Sequence, residues 1–283
     1  MWFIKLHKVG SRKIKTGLAG AALFLGLMSQ VSCDSVEKRL LQEAQTEAEK
    51  GHFRIAVAAL EKFLIRNPDG KDAVFAARES AKILFYEIQD FNKAAKYYQL
   101  LVLSSPDPTE RLSAQKQIVS IYFDHLTDYP RAVVEINKMM VMLTDPKEQT
   151  EYKIKLARAY YYQNNFTQAE NEADEFLRGK QPEDLKFDMF FLKGNISLAK
   201  KDLPRAAEIF KKMMKDFPER SIKENVGLTL SVCLEEQKDY KGAMEVLEKM
   251  RPQYSTPEYI DVRIHRLLGR LKNMPGARGR GKK

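Results

Sequence analysis

One stretch of the chain, residues 202–218, contains the pattern that decides the fold, and it reads DLPRAAEIFKKMMKDFP. It begins with Asp202, whose side chain can accept hydrogen bonds from the first free N–H groups of a helix. Leu203 and Ala206 lie three residues apart and therefore share one face of that helix. Pro218 ends the stretch. This pattern predicts a capped helix that places a small residue, Ala206, where a second helix approaches closely.

The same pattern occurs six times along the chain. Its small residues are Ala56, Ala94, Ala132, Ala169, Ala206 and Ala243. They are separated by 38, 38, 37, 37 and 37 residues, and an aromatic residue or Leu precedes each by three positions. In five copies Asp or Asn comes directly before that residue, and the first copy has His52 instead. Near-equal intervals of this kind indicate a tandem structural repeat.

A second amphipathic stretch precedes each cap. In the fourth copy it covers residues 152–162, where apolar residues recur three and four positions apart, which is the period of a helix. Each repeat is therefore predicted to contain helix A, a short capped turn, helix B and a turn marked by proline. One such pair cannot bury its apolar face alone, so neighbouring pairs are expected to stack into a solenoid.

The repeat resembles the tetratricopeptide repeat family, whose unit is about 34 residues long. Ala157 and Gly194 fall where that family has its small helix-A residue, while Lys82 and Ser120 occupy this position in the second and third repeats. The resemblance covers residues 36–252. It implies an all-α fold, a right-handed solenoid of six helix pairs.

The N-terminus has the pattern of an export signal. Residues 1–16 are basic, residues 17–28 are uncharged and mostly apolar, and small residues lead to Cys33. The segment resembles a bacterial lipobox with Cys33 as its lipid-modified cysteine, although Gln30 stands where Leu is usual. Three outcomes stay open: a lipid anchor, a cleaved soluble export signal, or an uncleaved membrane anchor. The expected location is the periplasm, at the outer membrane in preference to the inner one.

These patterns predict three regions: an export signal over residues 1–33, a solenoid domain over 34–272 and a disordered basic tail over 273–283. Residues 257–272 are amphipathic and are predicted to form a C-terminal capping helix. Of the 48 basic residues, five precede residue 34 and seven follow residue 265. The body between them, residues 34–265, therefore contains 36 basic residues and all 38 acidic residues. A near-neutral body argues against a nucleic-acid-binding domain.

No motif in the sequence indicates catalysis. The three histidines after the signal are far apart, and the chain has no HExxH, CxxC, GxSxG or Walker-type motif. Cys233 lies between leucines in a predicted A helix, which favours a buried, unreactive thiol. The sequence therefore predicts no catalytic residue, no metal site and no cofactor, and the chain is not expected to be an enzyme.

The resemblance also implies a binding groove, because helix A lines the concave surface in this family. The groove residues predicted by position are Tyr86, Arg158, Tyr161, Tyr162, Phe191 and Asn195. Aromatic residues and Arg contribute most of the binding energy at many protein interfaces. The alternative is that some of these tyrosines belong to the core.

An exported, lipid-anchored chain with six repeats resembles the BamD-like lipoproteins of outer-membrane protein assembly. That resemblance implies a non-enzymatic scaffold that binds proteins or peptide segments in the periplasm, with no nucleic acid as partner. The chain resembles pilus-assembly lipoproteins of the same repeat family almost as closely as it resembles the BamD-like ones. The alternative is an accessory or regulatory subunit of a pilus, secretion or cell-wall machine, and an enzyme without a detectable motif is a third hypothesis.

Overall fold

The computed structural model describes residues 36–274, which contain fourteen α-helices and no strand. They form two compact units, one ending at Ile121 and one beginning at Tyr122. The predicted export signal, with Cys33, lies outside the described residues, and so does the predicted tail from residue 275 onward.

The helices follow one another with short connections. The first unit contains α1 (36–49), α2 (Phe53–Arg66), α3 (Ala73–Lys82), α4 (Phe91–Ser104) and α5 (Pro108–Ser120). The second contains α6 (Tyr129–Met142), α7 (Pro146–Tyr162), α8 (Phe166–Arg178), α9 (Glu183–Ala199), α10 (Leu203–Asp216), α11 (Pro218–Lys223), α12 (Val226–Glu236), α13 (Tyr240–Met250) and α14 (Pro257–Lys272). In chain order they make six A–B pairs, the sixth A helix being α11 with α12, and α14 follows. The predicted all-α array of six helix pairs plus a C-terminal helix is confirmed.

Every B helix begins where the repeat pattern predicts. The caps that accept a hydrogen bond from the N–H three residues ahead are Asp90, Asp128, Asn165, Asp202 and Asp239. His52, the exception in the sequence pattern, makes no capping hydrogen bond through its side chain. The six alanines of the pattern have no exposed surface, and helices A and B contact each other in the second, fourth, fifth and sixth repeats.

The two repeat intervals of 38 residues each contain an A helix that ends in a π-helical turn. After α3 the chain forms a π-helical turn over Ile83–Ile88, and after α5 it forms another over Ile121–His125. A π-helical turn accommodates one additional residue within a helix. These turns lie in the two repeat intervals of 38 residues, and the A helices in the intervals of 37 residues contain none, so the π turn absorbs the extra residue.

The π turns shift which residue occupies the small helix-A position. Ala81 and Val119 are completely buried, whereas Lys82 is exposed and Ser120 is only half-buried. The prediction that Lys82 and Ser120 occupy this position was therefore wrong by one residue. Counting back from the cap assumes an α-helical turn, and the additional residue of the π turn moves the contact one position earlier.

The fourth and fifth repeats match the expected register. Ala157 is completely buried, and a Cβ atom placed on Gly194 would lie 2.5 Å from the Phe210 ring. Glycine is therefore required where α9 crosses α10. In the second unit the core contains Met189 and Ile196 from α9.

The sixth A helix is broken. Phe217 alone separates α10 from α11, and Asn225, with a left-handed φ of 54°, separates α11 from α12. At the end of the second unit, α14 packs on α13 through Ile260 and Leu267, both of which are buried. The break in the sixth A helix positions residues of both sites described below.

Candidate protein-binding surface

The A-helix surface is defined here by the outward side chains of α7, α9 and α11 in the second unit. On α7, Ile154, Arg158 and Tyr162 are spaced four residues apart and share one side of the helix. Ile154 is buried in the core, Arg158 is half-buried, and Tyr162 is 49% exposed. The side of α7 therefore changes from core to solvent toward its C-terminal end.

A chain of ion pairs connects the three A helices. Arg158 Nη2 lies 3.4 Å from Asp188 Oδ2, and Arg220 Nη2 lies 2.6 Å from Asp188 Oδ1. Arg220 also donates a hydrogen bond to the backbone carbonyl of Asp184, and its guanidinium lies 4.4 Å from the centre of the Phe187 ring. Two guanidinium groups share one carboxylate, so this group of three carries one excess positive charge.

An aromatic cluster lies beside this group, at the end of α7. The rings of Tyr129 and Tyr162 stack with centroids 4.8 Å apart, and Phe123 contacts both with its edge. Lys155 Nζ lies 4.7 Å from the Phe123 ring centre and 3.0 Å from Asp124 Oδ2. Burial, with a smaller contribution from Tyr162, raises the pKa of Tyr129. The cluster thus presents a neutral aromatic platform whose outermost ring is Tyr162.

The remaining predicted groove residues of the second unit are less exposed. Tyr161 is half-buried against the core that α7, α8 and α9 share, and burial raises the pKa of its hydroxyl. Phe191 is half-buried and contacts the Phe187 and Phe210 rings, so it belongs to the edge of the core. Asn195 is half-buried and its amide has no hydrogen-bond partner among the described residues, which leaves the amide available to a ligand.

Tyr86 belongs to the first unit, whereas the other five predicted groove residues of the described chain belong to the second. It lies in the π-helical turn Ile83–Ile88, is 59% exposed and contacts Phe85 edge-on at 4.8 Å. Its exposure agrees with a surface role.

Sequence reasoning missed Asp188, Arg220, Phe123 and Tyr129. A signal existed for Asp188, which precedes Phe191 and Asn195 by three and seven residues and therefore shares their side of α9. No comparable signal marked Arg220, because the break after α11 removes that helix from the register of the other A helices.

Within residues 36–274, no group of three or more His, Cys, Asp or Glu side chains is arranged to hold a metal ion. Cys233 is buried, and burial raises the pKa of its thiol, as expected for an unreactive cysteine. None of the helices in the described part of the chain combines the length and apolarity needed to cross a bilayer.

Solved structures with a similar fold come from several sources. A tetratricopeptide repeat protein from Parabacteroides merdae is 12% identical, with 83% of this chain and 99% of that chain covered and a TM-score of 0.42. A tetratricopeptide repeat protein from Bacteroides fragilis is also 12% identical, with coverages of 83% and 98% and a TM-score of 0.42. The Naa15/Naa10 complex bound to HypK-THB contains a chain that is 16% identical, with coverages of 82% and 39% and a TM-score of 0.53. At these identities the likeness shows the fold alone.

Curated proteins provide no significant match to this chain. Two family models do match, and both are described as tetratricopeptide repeat. The first matches residues 41–109 and 154–220, and the second matches residues 197–271. Together they cover well over half of the chain and both described units. With the six helix pairs and their buried alanines, these matches show that the chain belongs to the tetratricopeptide repeat family.

Proposed function

We propose that this chain is a non-enzymatic scaffold that holds a segment of another protein on the A-helix surface. Tetratricopeptide repeats are typically non-catalytic and bind proteins or peptides. The observation that carries the proposal is the group Arg158, Asp188 and Arg220, with its excess positive charge, next to the half-exposed Tyr162. A guanidinium and an aromatic ring on one surface are the side chains that most often dominate interface energies.

The proposal includes a membrane tether. The basic, then apolar, then small-residue pattern that ends at Cys33 supports export with a lipid on that cysteine, and hence a scaffold that faces the periplasm. Together with a tetratricopeptide repeat domain that follows the cysteine closely, this supports a role in outer-membrane protein assembly of the BamD-like kind. An accessory role in a pilus, secretion or cell-wall machine is the second candidate, supported by the same anchor and repeats.

The test is site-specific photo-crosslinking in native membranes. A photoreactive amino acid replaces Tyr162 on the A-helix surface, and a control replaces Lys211, an exposed residue of the B helix α10. We expect a discrete crosslinked partner from position 162 and none from position 211. Arg158→Glu should weaken the crosslink from position 162, because it reverses a charge beside Tyr162, whereas Lys211→Glu should leave it unchanged.

The identity of the crosslinked partner separates the two candidates. An outer-membrane barrel or its assembly subunit supports the assembly role, and a pilus, secretion or cell-wall component supports the accessory role. Equal labelling from positions 162 and 211, or labelling from position 162 that Arg158→Glu does not change, would remove the A-helix surface from the proposal. Turnover of a substrate by the purified chain would contradict its non-enzymatic character.

A further inference from the structure

An apolar cavity of about 140 Å³ lies at the break in the sixth A helix. The residues that decide its properties are Met214, Ile222, Gly227, Lys249, Met250 and Tyr254. They come from the ends of α10 and α13, from both pieces of the broken helix and, for Tyr254, from the connection between α13 and α14. None of them belongs to the ion-pair group or to the aromatic cluster described above, so this cavity is a separate feature of the second unit.

The local chain path keeps the cavity open. Asn225 has a left-handed φ of 54° and turns the chain between α11 and α12. Gly227 follows and contributes no side chain. A Cβ atom at this position would lie 3.1 Å from Met250 Sδ and 3.5 Å from the Met214 methyl carbon. The absence of a side chain at residue 227 therefore lets both methionines pack against the backbone of α12, and all three residues line the cavity.

The volume limits what can enter. An apolar protein cavity of about 150 Å³ is known to bind benzene, so this one can hold a single ring or a leucine-sized group. A long acyl chain would need several times that space. Methionine side chains adapt their shape and make favourable contacts with aromatic ring edges. At the mouth, Ile222 is 39% exposed, which leaves the cavity accessible from solvent. Size and lining together favour a phenylalanine side chain.

The polar groups at the cavity differ in whether they already have a partner within the chain. The hydroxyl of Ser221 already donates to the Met213 carbonyl over 3.0 Å. Lys249 is exposed and makes no ion pair with a described residue. An ammonium group without a partner at the rim of an apolar cavity is complementary to a carboxylate. We propose that this cavity is a second peptide-binding site, which takes a phenylalanine side chain of a partner segment while Lys249 pairs with an adjacent acidic residue.

The first test uses a small molecule that carries both groups. The full chain, labelled with ¹³C at its methionine methyl groups, is titrated with 3-phenylpropionate and separately with the neutral 3-phenylpropionamide. We expect saturable shifts of the two signals assigned by Met214→Leu and Met250→Leu. The carboxylate should bind about threefold more tightly than the amide, in keeping with one exposed ion pair. Lys249→Glu should abolish that preference, and Lys241→Glu, an exposed change on the same helix, should preserve it.

The second test uses the peptide Ac-Gly-Asp-Phe-Asp-Gly-NH₂ and a version with Ala in place of Phe. The Phe peptide should shift the same two methyl signals, and the Ala peptide should not. Ile222→Glu places a charge at an exposed mouth position and should weaken binding at least fivefold, on the order of a lost apolar contact, while the melting temperature stays within a few degrees. Absence of a methyl shift at saturating probe, shifts spread over unrelated methionines, or undiminished binding by Ile222→Glu would each overturn the proposal. The crosslinking test of the A-helix surface uses Tyr162 and Arg158, neither of which lines the cavity, so the two tests are independent.

Discussion

At the scale of single residues, Ser80 is the clearest example of a buried polar group without a hydrogen bond among the described residues. Its side chain is completely buried in α3, and its hydroxyl has no hydrogen-bond partner among the described residues. A buried polar group without a partner costs about 1–3 kcal/mol of desolvation. We expect Ser80→Ala to raise the free energy of unfolding by up to about 1 kcal/mol, because the desolvation cost is removed while the contacts of one oxygen atom are lost.

The matched control for Ser80 is Ser231, which is equally buried but donates a hydrogen bond to the Leu228 carbonyl over 2.7 Å. Ser231→Ala removes a satisfied group and should lower the free energy of unfolding. Urea denaturation of both variants, followed by circular dichroism, measures the difference. Equal losses in the two variants would mean that the Ser80 hydroxyl is satisfied in solution.

The residue directly before each B-helix cap has a positive φ in all six repeats. These residues are Gly51, Gln89, Thr127, Asn164, Lys201 and Lys238. Only glycine and, to a lesser degree, asparagine adopt this conformation readily, and a β-branched residue is the least suited to it. The strain is required because the chain must reverse between helix A and helix B in a very short turn.

Thr127, with a φ of 49°, is the β-branched member of that set. Thr127→Gly should stabilise the protein by about 0.5–1 kcal/mol, because relief of backbone strain exceeds the entropic cost of glycine. Gly51→Ala is the reciprocal change at a φ of 78°, where an added Cβ has no atom within 4 Å and only the backbone conformation opposes it. It should destabilise the protein by a similar amount. Thermal melting measures both, and a melting temperature lowered by Thr127→Gly would show that this turn is not strained.

At the scale of elements, the B helices were predictable from sequence and the A helices only in part. The signals of a B helix are all local: an Asp or Asn cap, an aromatic residue or Leu three positions before Ala, and a closing proline. Each B helix therefore begins where its cap indicates. The π turns have only an indirect signal, the extra residue in two intervals. Whether that residue enters the helix or the turn is decided by tertiary packing of residues such as Ala81, and a pattern of spacing does not determine it.

The candidate surface shows the same division. Tyr162 and Arg158 could be placed on the outer side of α7 because helical period alone fixes which residues share a side. The sequence could not distinguish Phe191 from a core residue. Gly194 has no side chain, so the Phe210 ring packs against α9 at that point, and there it also contacts Phe191. The pairing of Asp188 with Arg220 depends on how the broken helix folds back, which requires the structure.

The terminal element α14 protects the apolar side of α13 from water. Leu267 is buried on one face of α14, and on the same helix Val262 is 61% exposed. Arg263 and Arg270 both pair with Glu235 on α12. Leu267→Ala should cost about 2–5 kcal/mol, whereas Val262→Ala should stay within about 0.5 kcal/mol. If urea denaturation shows equal effects of the two changes, α14 does not dock as described.

At the scale of the whole molecule, the charge is distributed unevenly along the sequence. The body carries nearly equal numbers of acidic and basic residues, and many of them form ion pairs on the helix surfaces, such as Lys155 with Asp124 and Arg158 with Asp188. The excess positive charge lies at the two ends of the sequence. A body with 36 basic and 38 acidic residues has little long-range attraction for a polyanion, so we expect any partner of the proposed A-helix surface to be held by short-range contacts.

The last prediction concerns the proposed lipid on Cys33. If Cys33 bears a lipid, Cys33→Ala removes both the modification and the anchor, so the chain should move from the membrane fraction to the soluble fraction, or accumulate as an unprocessed precursor. Cys233→Ala is the matched control, because that thiol is buried in the core and should have no effect on location. Fractionation of cells fed a clickable fatty acid measures location and acylation together. Label should be present on the wild-type chain and on the Cys233 variant and absent from the Cys33 variant. Membrane retention of a processed, unlabelled Cys33→Ala chain would instead assign the tether to a bound partner, and the scaffold would then be recruited through its own protein-binding surface.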